Sequence, residues 1–80
     1  MGVALEAVRM ALHQVVGELR GSVYAVGDLA LGGQSQQPDI RITDHRDYRV
    51  VKAVVESLGV GARIRAQPAD KMPAFREALV

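Results

Sequence analysis

The stretch VYAVGDLALGGQSQQPDIRI, Val23 to Ile42, decides how this chain is read. Val23 to Val26 is a short run rich in β-branched and aromatic residues, Pro38 to Ile42 is a second extended run, and strands are expected over 22–26 and 38–43. Between them Gly27 turns the chain, Gly32 and Gly33 let the backbone bend, and the polar run Gln34 to Gln37 reads as solvated loop. On the second strand a period of two puts Ile40 and Ile42 on one face and Asp39, Arg41 and Thr43 on the other. One face is core and the other carries charge.

Working outward, Leu5, Val8, Leu12, Val15, Val16 and Leu19 recur at three- and four-residue steps. They predict an amphipathic helix over 3–19, closed by Gly21 in a left-handed cap. His13 falls on its polar face and is assigned no role. After the second strand, Asp44 or Asp47 is placed to cap a helix over 47–58 whose stripe is Val50, Val51, Val54, Val55 and Leu58, with Gly59 or Gly61 ending it. The cluster Asp44, His45 and Asp47 is explained by capping and the helix dipole without a metal. Ala62, Ile64 and Ala66 then alternate with Arg63, Arg65 and Gln67, predicting a third strand over 62–66 with one apolar and one basic face. Pro68 ends it, and a last short helix is expected over 73–79, docked by Phe75, Ala78 and Leu79. The expected order is helix, strand, strand, helix, strand, helix. This is an α+β domain spanning residues 1–80, a three-stranded sheet with helices on one face.

Eighty residues allow one domain with one core, and at this size a modest share of the surface is buried. Apolar residues make up 49% of the chain, yet Tyr24, Tyr48 and Phe75 are its whole aromatic complement, so the core is aliphatic. A thin core of that kind leads us to expect a dimer or a stabilising partner. Ten basic against nine acidic residues give a net charge of +1, without the broad positive field of a dedicated nucleic-acid binder, so nucleic acid is not expected as a partner. The chain has no cysteine, which excludes disulfides and thiolate metal sites. Glu6 and Arg9 interrupt the first apolar pattern, so neither a secretory signal nor a membrane span is expected, and a cytoplasmic location is the default.

The spacing of Gly27, Asp28, Gly32 and Asp39 resembles that of the minimal nucleotidyltransferases of the DNA polymerase beta superfamily. In that family a strand ends in Gly-Ser, a helical turn carries a second Gly four residues after the Ser, and an Asp-x-Asp strand follows. Gly27 and Asp28 stand at the Gly-Ser position, Ala30 and Gly32 match the turn, and Asp39-Ile40-Arg41 stands at Asp-x-Asp. The order of elements is similar as well, and IRAQPADKMP, Ile64 to Pro73, matches the family's apolar and proline pattern before its final helix. The resemblance implies a nucleotide site at Gly27, Asp28 and Gly32 and metal ligands at Asp39, Arg41 and Arg65. At the last two positions a cation replaces a carboxylate, and at the first the nucleotide-facing Ser is the anionic Asp28.

Nucleotidyl transfer needs converging carboxylates to hold two divalent cations, and arginines there repel Mg²⁺. The expectation is therefore a nucleotidyltransferase-like domain without catalysis, with no cofactor and no metal, acting as a binding or regulatory module of the toxin–antitoxin kind. Family members of this size imply a partner that is a second copy or a helical HEPN-type protein. Asp39, Arg41 and Arg65 are expected on one sheet face, with Asp39 held between two guanidinium groups. Two alternatives stand beside this reading. One is an active enzyme that uses Mg²⁺ and ATP, with Asp39 as its surviving ligand and Asp44 or Asp70 as substitute carboxylates. The other is an α+β module that binds an anion or nucleic acid through Arg41, Arg63 and Arg65. A second resemblance, of YAVGDLALGG to the LAGLIDADG helix of homing endonucleases, predicts instead a long helix running through 27–37.

Overall fold

The structure, a computed structural model, describes residues 2–80. It is a small α+β domain in which two α-helices pack on one face of a four-stranded mixed sheet. The helices are α1 (Leu5–His13) and α2 (Tyr48–Glu56). The strands are β1 (Val23–Val26), β2 (Asp39–Ile42), β3 (Arg63–Ala66) and β4 (Glu77–Ala78), in the spatial order β3-β2-β1-β4. β1 is antiparallel to both β2 and β4, while β3 runs parallel to β2 after the α2 crossover. None of the described helices is long and apolar enough to cross a membrane.

The apolar positions of the two helices and of alternate strand positions meet in one cluster. Val8 and Leu12 from α1 and Val51 and Val55 from α2 cover Val23, Ala25, Ile40 and Ile42 of the sheet, and all of these are fully buried. Leu29 joins the same cluster from the β1–β2 connection at 1% exposure, so the start of that connection is packed, while Leu31 to Gln34, Gln36 and Gln37 are exposed as expected of a solvated loop. Gly27 has φ +67° and opens a helical turn in which the N–H of Leu31 bonds to the Gly27 carbonyl at 3.1 Å. Gly32, at φ +91°, ends that turn. The chain bends where it was expected to, and no long helix runs through 27–37.

The first helix is shorter than the expected 3–19. Val3 instead forms a bridge with Ser35, each donating its N–H to the other's carbonyl at 2.8 and 2.9 Å. After His13 the chain tightens into a 3₁₀ turn at Val16–Glu18. Two β-branched residues followed by Gly17 weaken helix propagation there. Gly21 is not a left-handed cap, since the described glycines with positive φ are Gly27, Gly32 and Gly59. It is needed because a Cβ there would collide with the Thr43 hydroxyl and lie 3.1 Å from Cβ of Asp44. At the end of α2, Gly59, at φ +86°, does close the helix as expected.

The final helix expected over 73–79 is absent, and Glu77–Ala78 is a strand on the free edge of β1. Seven residues bounded by Pro73 are too few for a self-supporting helix, whereas the open backbone of β1 satisfies the segment's hydrogen bonds. The N–H of Leu79 bonds to the Val23 carbonyl at 2.8 Å, and its side chain is buried in the core. Phe75 and Ala78, expected to dock with it, are exposed. Helix α1 secures this edge from its polar side. Arg9 Nη2 donates to the Ala78 carbonyl at 2.9 Å, and His13 Nε2 lies 3.2 Å from that of Leu79, so His13 has a structural contact.

β3 and β4 lie at opposite edges of the sheet and point the same way, so the ten residues 67–76 must cross two strands to join them. They do so over the face away from the helices. Gln67 Oε1 accepts from Arg41 Nε at 3.1 Å at the start of this strap, and the Arg76 guanidinium sits 5.5 Å from the Tyr24 ring centre at its end. Met72 in its middle is buried outside the main cluster, as is Val26 of the sheet.

Candidate functional site

The strands converge at one corner of the sheet, where β1 ends and β2 and β3 begin. Val26, Asp39 and Arg63 are register partners across these strands. Gly27, Asp28, Ser35, Gln37, Asp39 and Arg63 line a cleft of about 230 Å³ at this corner. Positive φ at Gly27 sends the chain away from the sheet, and the bridge between Val3 and Ser35 fixes the far wall. The cleft therefore owes its shape to backbone features more than to side-chain packing.

Of the residues singled out in the sequence, Gly27, Asp28 and Asp39 come together in this cleft. Gly32 lies at the far end of the turn and does not line it. Arg41 and Arg65 are register partners, and both share a sheet face with Asp39. Arg41 Nη1 pairs with Asp39 Oδ1, with the two side chains only 14% and 33% exposed. Arg65 makes no ion pair among the described residues, and the cation beside Asp39 on β3 is Arg63. The pincer of Asp39 between Arg41 and Arg65 is thus replaced by an Asp39–Arg41 pair with Arg63 as the cross-strand neighbour. Arg63, Ser35 and Gln37 are cleft residues that the family spacing does not mark. Only the alternation of β3 pointed to Arg63.

The substitute carboxylates lie elsewhere. Asp44 follows the other end of β2, roughly 16 Å of extended chain from Asp39. Its Oδ1 accepts from the N–H and Nε of Arg46 at 2.9 and 3.0 Å, and its Oδ2 accepts from Nη2 at 2.7 Å. Those side-chain bonds first, and the backbone bond second, hold the Asp44 carboxyl well below the usual carboxylate range. Asp70 is exposed on the strap. Asp47 is 1% exposed, and its two oxygens accept from the backbone N–H groups of Arg20 and Gly21 at 2.9 to 3.1 Å. Among the described residues no three His, Asp or Glu side chains gather to hold a metal ion.

These residues do not fit a metal–nucleotide site. Asp39 is engaged by a guanidinium, a second cation lines the cleft, and Asp28 would face the phosphates with a like charge. The cleft is also smaller than the roughly 300–1,000 Å³ usual for small-molecule sites. Comparison with protein-family models, curated proteins and solved structures found no match to this chain.

A second concavity lies between the two helices. Ala7, Met10, Ala11 and Val15 face Val54 and Leu58 across a mainly apolar groove of about 510 Å³ between α1 and α2. Met10 on its rim is 68% exposed.

Proposed function

We propose that this chain is a non-catalytic binding module of nucleotidyltransferase-like plan that works by contact with another protein, in the manner of an antitoxin or regulatory subunit. The observation that carries the reading is the Asp39–Arg41 pair. The one carboxylate left of the family's three has its charge answered from its own strand, two residues away, and is flanked by Arg63. A carboxylate so paired has little to offer Mg²⁺. The succession of helix, strand, turn, strand, helix and strand supports the nucleotidyltransferase-like plan as far as order goes.

The same plan gives the module a partner, a second copy of the chain or a helical HEPN-type protein, and the apolar α1–α2 groove offers a surface suited to helices. Titration calorimetry with Mg-ATP, together with transfer of labelled nucleotide, tests the non-catalytic part. No saturable heat and no labelled product are expected from the wild type. Saturable Mg-ATP binding that disappears in Asp39→Ala would overturn it. Sedimentation at micromolar concentration tests the partner, because a stable monomer with a concentration-independent melting temperature removes the second copy from consideration.

A further inference from the structure

β3 is an edge strand, and its outer side pairs with no other strand among the described residues. In the ladder with β2, the N–H of Arg63 bonds to the Pro38 carbonyl and that of Gln67 to the Ile42 carbonyl, each at 2.9 Å. Alternation then directs the backbone groups of Arg63, Arg65 and Gln67 toward β2 and those of Ile64 and Ala66 outward. No backbone hydrogen bond outside the ladder engages Ile64 or Ala66. Such a row of open N–H and C=O groups is a template for another strand.

The side chains decide which strand. Arg63 and Arg65 are exposed, and neither makes an ion pair among the described residues. Asp39, the acid beside Arg63, is already paired with Arg41. Ile64 points to the helix side and is half-buried against the core. A strand laid along this edge meets a cation, an apolar residue and a cation in succession.

We propose that the β3 edge takes up an extended segment of a partner protein with an acidic–apolar–acidic pattern. Its carboxylates would stand opposite Arg63 and Arg65 and its apolar residue beside Ile64. The same charges reject a second copy at this edge, because antiparallel pairing of two β3 strands sets arginine beside arginine. Nucleic acid suits the surface less well. A phosphate nearing Arg63 meets Asp28 and Asp39 in the same cleft, and Tyr24 on that face is already covered by Arg76. The proposal stands on the strand edge and is independent of whether the cleft is catalytic.

The test is a heteronuclear NMR titration of the full chain with the blocked peptide Thr-Glu-Val-Glu-Thr. Saturable shifts are expected at the Ile64 and Ala66 amides, with about tenfold weaker binding of Thr-Lys-Val-Lys-Thr, since two cross-strand charge pairs change sign. The double variant Arg63→Glu/Arg65→Glu should invert that preference, and its unshifted core resonances verify the fold. Of two peptides N-methylated at alternate amides in opposite phase, one should lose binding and the other keep it. Equal affinity for the two charge patterns, shifts away from β3, indifference to both N-methylations, or no response at millimolar peptide would each overturn the proposal. Binding of a single-stranded oligonucleotide that is lost in the double variant, with no peptide response, would assign the surface to nucleic acid instead.

Discussion

The carboxylate of Asp47, at the start of α2, accepts the backbone N–H of Gly21 at 2.9 Å and that of Arg20 at 2.9 and 3.1 Å. An acid placed to cap its own helix is turned instead onto the chain that leaves the first helical segment. That contact fixes residues 20 and 21 in the bend that precedes β1. Asp47→Ala would strand two N–H groups beside a buried void, so a loss of about 2–3 kcal/mol in chemical denaturation is expected. Asp47→Asn keeps one acceptor oxygen and should lose less. Equal stability of wild type and Asp47→Ala would show that water replaces the carboxylate at no cost.

Gly21 is the other half of this junction. A methyl group there meets the Thr43 hydroxyl, which already accepts the Ser22 N–H at 2.8 Å and is not free to swing away. Gly21→Ala is expected to cost about 1–3 kcal/mol through displaced backbone. Gly17→Ala, with open space around its Cβ position, serves as the comparison and should be neutral or stabilising.

How much of this was legible in the sequence follows from the range over which each signal acts. The cores of α1 and α2 and the first three strands are written in local periodicity, and Gly27, Gly32 and Gly59 in local backbone need. The apolar spacing of the first helix continues through Val15, Val16 and Leu19, although α1 ends at His13. The contact that holds residues 20 and 21 comes from Asp47, far along the chain, and the helix's own pattern gives no sign of it. β4 is a strand because β1 has a vacant edge, and its two paired residues carry no pattern of their own. The cleft was half legible: Asp39 and Asp28 stood out by spacing, but Arg63 enters through the parallel register of β2 and β3. A one-residue slip would have placed Ile64 beside Asp39 instead.

Asp44 offers a pH-dependent check on the α2 entry. Its carboxyl is depressed from the ordinary value of 3.8 by the Arg46 side chain and then by the Arg46 N–H. A group depressed on folding contributes stability that is fully present above 3.8 and is lost as pH falls below it toward the folded-state value. Carboxyl-carbon NMR should find Asp44 still ionised when exposed carboxylates have protonated. Arg46→Ala removes the largest cause but keeps the backbone bond, so the titration should return only part of the way. A normal Asp44 midpoint in the wild type would contradict the fork of hydrogen bonds.

Leu29 distinguishes a packed turn from a mobile loop. It follows Gly27 and Asp28 of the cleft, and its side chain reaches the same cluster as Val8 and Ile40 at 1% exposure. Leu29→Ala is expected to cost about 2–5 kcal/mol, whereas Leu31→Ala, at 69% exposure, should fall within about 0.5 kcal/mol of wild type. Equal effects of the two would mean that the turn does not anchor the cleft.

The C-terminal edge carries the last prediction. Leu79 is 1% exposed, its N–H bonds to the Val23 carbonyl at 2.8 Å, and Arg9 reaches the adjoining Ala78 carbonyl at 2.9 Å. A surface helix at this place would tolerate truncation of one docking side chain, but a two-residue strand holds its place through that side chain and a few backbone bonds. Leu79→Ala should therefore cost about 2–4 kcal/mol and also release the strand, with the Leu79 amide losing hydrogen-exchange protection before β2 does. Arg9→Ala should weaken the same protection by a smaller amount, since its bonds are on the surface. Phe75→Ala, at 59% exposure, should leave protection unchanged. The opposite order, with Phe75→Ala costing more than Leu79→Ala, would restore a docked helix over 73–79 and remove β4 from the sheet.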